Sequence, residues 1–174
     1  TAGHGIETSA ADGNTSITSL APVTGSAGGD GIHAIASGLG KLTITTSGGL
    51  ISASSGGDGI EAGTNSGAIA IDMGNSPSVG SIGSISGGGN GIYAHSTSGN
   101  ITIGGLNSGL LGTVTVTGTG EGIKASTGSS GTVKVTNKAL VSAAAVAIDT
   151  TAATGATTIT NSANVTSSGN SAIT

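Results

Sequence analysis

The sequence predicts an all-β fold, a single-stranded parallel β-helix with three short strands per coil and about six coils of 25–32 residues, running as one continuous segment over 1–174. Three observations carry that reading. A corner motif returns as Gly3-His4-Gly5-Ile6, Gly29-Asp30-Gly31-Ile32, Gly57-Asp58-Gly59-Ile60, Gly89-Asn90-Gly91-Ile92 and Gly120-Glu121-Gly122-Ile123, then more weakly as Ala145-Val146-Ala147-Ile148 and Ser171-Ala172-Ile173. Its isoleucines are separated by 26, 28, 32, 31, 25 and 25 residues, which is the spacing of solenoid coils and not of collagen or calcium-binding nonapeptides. The core fillers are almost wholly aliphatic, with 35 Gly, one Tyr and no Phe or Trp, so the core has to be thin.

The first strand of each coil starts at the motif isoleucine. Ile6, Ile32, Ile60, Ile92, Ile123, Ile148 and Ile173 form the inward core ladder, and Thr8, Ala34, Ala62, Ala94, Ala125 and Thr150 share its face two residues on. Between them Glu7, His33, Glu61, Tyr93, Lys124 and Asp149 alternate outward, and a slip of one residue would bury those charges. The second strand carries pairs at i, i+2: Thr15/Ile17, Leu42/Ile44, Ile69/Ile71, Ile101/Ile103, Val133/Val135 and Thr157/Ile159. A third apolar site follows at Val23, Leu50/Ile51, Ile82/Ile85, Val114/Val116, Leu140/Val141 and Val165, set off by Gly, Ser, Asn and Thr turn signals.

The two long coils carry extra residues after the second strand, at 72–81 and 104–112. Falling at one corner of consecutive coils, these insertions are expected to stack into a protrusion containing Asp72, Met73, Pro77, Leu106, Leu110 and Leu111, the candidate partner-binding corner. The alternative is that these side chains fold back to cover their own corner. Neither end carries a polar cap, so the segment is expected to be part of a longer repeat protein, with neighbouring coils or copies covering both ends.

Composition narrows the function. The net charge is −4, and the only basic side chains apart from histidine are Lys41, Lys124, Lys134 and Lys138, which argues against nucleic-acid binding. No run of about 18 apolar residues is present to span a membrane as a helix. A charged fraction of 7%, against about a quarter in typical domains, together with periodic β-branched residues, argues against a disordered linker. The absence of cysteine fits a reducing cytosol or a surface protein that crosses an envelope, and separates neither from the other.

Candidate chemistry is sparse. The outward Glu7, His33 and Glu61 stand at neighbouring coil positions, near enough for hydrogen bonding or metal contact, although a solvated face with cross-strand pairs explains them as well. Tyr93, Lys124 and Asp149 fit charge pairing, and His4 and His95 are not expected to join this column. The corner residues His4, Asp30, Asp58, Asn90 and Glu121 could gather charge around calcium, but Asp and Asn between glycines are ordinary turn formers. Scattered carboxylates, the absence of arginine and the lack of any Ser with a specified His and Asp argue against an enzyme. Outward Thr43/Thr45 and Thr158/Thr160 resemble ice-binding arrays, but Ala70, Asp72, Gly104 and Lys134 interrupt the lattice. No catalytic, cofactor-binding or metal-ligating residue is therefore assigned.

Gly29-Asp30-Gly31-Ile32-His33-Ala34 and its counterparts at 57–62, 89–94 and 120–125, each leading into a Thr-rich strand, resemble the passenger-domain repeats of large bacterial autotransporter adhesins over nearly the whole chain. The resemblance implies a right-handed β-helix, secretion across the outer membrane and extracellular display as a stalk or fibre on the bacterial cell surface, where it would meet a host or neighbouring-cell molecule. The translocating barrel, signal peptide and protease module of that family are not found in this segment. A carbohydrate- or ice-binding solenoid and a phage tail fibre segment are the alternatives.

Overall fold

The computed structural model describes residues 3–47, 49–73, 84–104 and 115–174, and among them all regular structure is β. Eighteen strands stack into three parallel sheets of six. The first sheet holds β1 (Ile6–Ala10), β4 (Ile32–Ala36), β7 (Ile60–Thr64), β10 (Ile92–Ser96), β13 (Ile123–Thr127) and β16 (Ile148–Ala152). In the second are β2 (Thr15–Ser19), β5 (Leu42–Thr46), β8 (Ile69–Met73), β11 (Ile101–Ile103), β14 (Val133–Asn137) and β17 (Thr157–Asn161). The third is built from β3 (Val23–Thr24), β6 (Leu50–Ser52), β9 (Ser84–Gly87), β12 (Thr115–Gly118), β15 (Leu140–Ala143) and β18 (Val165–Ser167). Each coil contributes one strand to each sheet, so every strand pairs with its counterparts in the adjacent coils.

The predicted register holds in the first sheet. Ile6, Ile32, Ile60, Ile92, Ile123 and Ile148 pair one with the next, and Ile173 adds a parallel bridge to Ile148. The column is fully buried from Ile32 to Ile148, while Ile6 is half-buried and Ile173 is exposed. Strands β4, β10 and β13 alternate buried and half-buried residues as a period of two requires.

In the third sheet the apolar pairs Leu50/Ile51 and Leu140/Val141 divide between core and surface, because consecutive strand residues face opposite ways. Ile51, Ile85, Val116 and Val141 are buried, whereas Leu50 and Leu140 are 43% and 40% exposed. Ile82 and Val114 lie outside the described residues.

Tight corners explain the small residue before each isoleucine. A Cβ on Gly59 would lie 2.6 Å from both the Gly91 carbonyl oxygen and Ile85 Cγ2, and Gly31 and Gly91 meet the same obstruction from the coil ahead. Polar ladders line other inner corners. Asn137 is fully buried, donates from Nδ2 to the Ala139 carbonyl (2.9 Å) and to Asn161 Oδ1 (2.8 Å), and accepts the Ala139 N–H at Oδ1 (3.1 Å).

Candidate functional site: a histidine and carboxylate cluster beside the first sheet

The corner residues ahead of the first sheet form a ladder of their own. The N–H of Asp30 donates to His4 Nδ1 (3.0 Å), that of Asp58 to Asp30 Oδ1 (2.7 Å), that of Asn90 to Asp58 Oδ1 (2.6 Å) and that of Glu121 to Asn90 Oδ1 (3.0 Å). Each corner thus accepts a backbone donor from the next coil. His, Asp and Asn share the one feature this needs, an acceptor at the δ position of a short side chain. The backbone bonds at the same corners run the opposite way, from the earlier coil to the later: the N–H groups of Gly5, Gly31, Gly59 and Gly91 donate to the carbonyls of Asp30, Asp58, Asn90 and Glu121.

Three residues after each corner stands the outward residue of the first strand, and the pairing confirms the column Glu7, His33, Glu61, Tyr93, Lys124, Asp149. Within one coil the corner and the outward residue meet. His33 Nδ1 is 2.9 Å from Asp30 Oδ2, and Lys124 Nζ donates to Glu121 Oε1 at 3.3 Å. In the coil of Asp58 and Glu61 the corresponding partners are both acidic. Burial, then the charges of Asp30 and Glu61, push the Asp58 carboxyl above its ordinary value against the hydrogen bonds from Asn90.

Glu61 is held between two coils. Its Oε2 lies 3.0 Å from His33 Nδ1 and its Oε1 lies 3.5 Å from His95 Nε2. The interaction with His95 first, and the charge of His33 with it, hold the Glu61 carboxyl down at about 2 despite burial. His95 reaches this position because Gly63, its first-sheet partner, has no side chain: a Cβ there would fall 2.6–2.7 Å from the His95 ring.

All three histidines of the chain therefore gather here. Neither His4 nor His95 belongs to the outward column, as expected from register, yet both reach its members. His4 stacks on the His33 ring with centroids 4.4 Å apart, and His95 lies against Tyr93 at 4.9 Å. Register alone could not bring them in, because they approach from the corner and from the position two residues further along the strand. The sequence signal was the glycine at 63, which opens space on an otherwise filled face.

One donor atom each from His4, Asp30 and His33 lies within 4.8 Å of the others, and so does one each from Asp30, Asp58 and Glu61. The Asp30 side chain is 8% exposed, with His33 and Glu61 at 23% and 24%, so the cluster is half-buried at its rim and buried at its centre. Among the described residues no lysine pairs with these three carboxylates; Lys124 is engaged with Glu121. The arrangement can hold protons or a cation. Glu7 extends the column beside His33, and Thr174 Oγ1 donates to Asp149 Oδ1 at 3.1 Å.

The candidate partner-binding corner is only partly described. Asp72 and Met73 do not open into a loop: both are buried and remain in β8, paired with Thr45 and Thr46 of β5, so the strand continues past the point where the insertion was expected to begin. Pro77, Leu106, Leu110 and Leu111 lie outside the described residues. A shallow groove over the third sheet, lined by Thr117, Thr119, Ser142, Thr166 and Ser168, offers hydroxyls and no titratable group. Among the described residues no helix is long and apolar enough to cross a membrane. Comparison of the chain with protein-family models, curated proteins and solved structures finds no match.

Proposed function

We propose that this chain is a structural and adhesive stalk segment of a secreted bacterial surface protein, built like the repeats of autotransporter adhesins. The supporting observation is the unbroken parallel pairing of all three sheets from the first coil to the last, which makes each coil the template for its neighbour. A body of that kind resists bending because backbone bonds run along its axis on three sides. Low charge and the absence of cysteine suit passage through an envelope. The outermost strands offer backbone edges to which further coils or copies can pair. Contact with a host or neighbouring-cell molecule is assigned to the inserted corner after the second strand.

The test is carried out on cells that express the parent reading frame. Protease added to intact cells should remove an epitope placed in this segment, and deletion of the segment in frame should lower attachment of the cells to their surface. Duplicating one coil should lengthen the fibre by about 4.8 Å. Recovery of the epitope only from the protease-protected cytosolic fraction would exclude the assignment.

A further inference from the structure

We infer that Asp30, His33 and Glu61 form a binding site for a divalent transition-metal ion of the zinc type, which clamps the second coil to the third. The carboxylate oxygens of this cluster have divided roles. Asp30 Oδ1 is anchored by the Asp58 N–H at 2.7 Å, leaving Oδ2 turned to His33 Nδ1 at 2.9 Å, with His4 Nδ1 3.2 Å from the same oxygen. Glu61 Oε1 is turned to His95 Nε2 at 3.5 Å, leaving Oε2 turned to the same His33 nitrogen at 3.0 Å. One oxygen of each carboxylate is thus fixed by a protein donor while the other converges with an imidazole nitrogen. That division of labour orients ligands around a metal.

A proton serves this arrangement poorly. The single Nδ1–H of His33 faces two carboxylate oxygens and can point squarely at only one of them. Three carboxylates, Asp30, Asp58 and Glu61, share the region with no lysine ion-paired to them among the described residues. A divalent ion in place of that proton would meet all three donors at once and supply the missing positive charge. Bonds of about 2.0–2.2 Å to nitrogen and oxygen require ligand atoms somewhat over 3 Å apart, so the 2.9 and 3.0 Å between His33 Nδ1 and the two carboxylate oxygens need open by only a few tenths of an ångström.

The donor chemistry selects the ion. One imidazole and two carboxylates suit zinc and its first-row neighbours, whereas calcium and magnesium take oxygen alone. His4 stays outside the set, because its Nδ1 lone pair is already committed to the Asp30 N–H at 3.0 Å. Asp58 and His95 are positioning residues, holding Asp30 and Glu61 from behind. With Asp30 and His33 in one coil and Glu61 in the next, the ion would join neighbouring turns of the solenoid independently of any backbone bond.

The experiment titrates zinc into the folded chain at pH 7 against a chromophoric chelator, with thermal melting followed by circular dichroism in zinc, calcium or neither. Zinc is expected to bind at one equivalent and to raise the melting temperature more than calcium does. His33→Gln and Glu61→Gln should each weaken binding by at least tenfold. Circular dichroism of the metal-free variants checks their fold. In the wild-type chain, imidazole nitrogen NMR should show zinc on His33 Nδ1, a readout that needs no variant. Absence of micromolar zinc binding, zinc carried by His4 or His95 with His33 unaffected, or equal protection by calcium would overturn the assignment.

Discussion

The backbone N–H of Asp58 donates to Oδ1 of Asp30, one coil earlier, at 2.7 Å, and Asp58 in turn accepts the N–H of Asn90 at 2.6 Å. The aspartate of the corner motif is therefore neither an ornament of the turn nor a free charge. It closes a backbone bond that the strand ladders do not reach.

Asp58→Ala removes that acceptor and leaves the Asn90 N–H short of a partner at a half-buried corner, with an expected loss of about 1–3 kcal/mol in urea unfolding. Asp58→Asn keeps an oxygen at the same place and removes a charge. Because burial and two neighbouring carboxylates raise the Asp58 carboxyl above its usual value, the folded state binds this proton more tightly than the unfolded one. Its stabilising contribution is complete below the unfolded value and is lost as pH rises through the folded value. Asp58→Asn should therefore gain on the wild type as pH rises from 3 to 7. Equal stability of the Ala and Asn variants at every pH would remove the corner ladder from the account.

Glu61 has the opposite sign. Its carboxyl is held down at about 2, so its contribution is present above the ordinary glutamate value and disappears as pH falls from roughly 4.5 toward 2. Melting temperatures measured across that window should fall more steeply for the wild type than for Glu61→Gln. His95→Gln, which removes the first cause of the depression, should flatten the same slope while leaving the strand register untouched.

These two residues also mark how far the sequence could be read. The isoleucine column, the outward column and the small residue before each isoleucine follow from a period of two repeated at coil spacing, and the first sheet pairs accordingly. The same rule, applied strictly, separates Ile51 from Leu50 and Val141 from Leu140. The cluster was less legible because His4, His33 and His95 occupy three different positions of the repeat. Their meeting depends on ring directions and on the gap at Gly63, which a column-by-column reading does not contain.

Gly59 tests the corner packing. A methyl group there would press on the Gly91 carbonyl oxygen and Ile85 Cγ2, both at 2.6 Å, and the first of these is backbone and cannot turn aside. Gly59→Ala should cost about 1–3 kcal/mol. Gly13→Ala, where a Cβ meets nothing within 4 Å, is the matched control and should change stability by less than about 0.5 kcal/mol. Equal effects at both positions would show that backbone flexibility, not crowding, explains the glycines.

Asn137 tests the interior. Its side chain is fully buried and ties the Ala139 N–H and carbonyl to Asn161 of the next coil, so truncation leaves two backbone groups without partners in a place water does not fill. Asn137→Ala should lower stability by about 2–4 kcal/mol. At the exposed Asn161, the same change breaks the bond to Asn137, whose Nδ2 keeps the Ala139 carbonyl, and the one to the Ala163 carbonyl, which regains water. Its cost should stay near 1 kcal/mol. Amide exchange provides the second measurement: the Ala139 N–H should lose protection in Asn137→Ala and keep most of it in Asn161→Ala. If both variants protect Ala139 equally, the amide is held by the surrounding ladders and Asn137 is filling space.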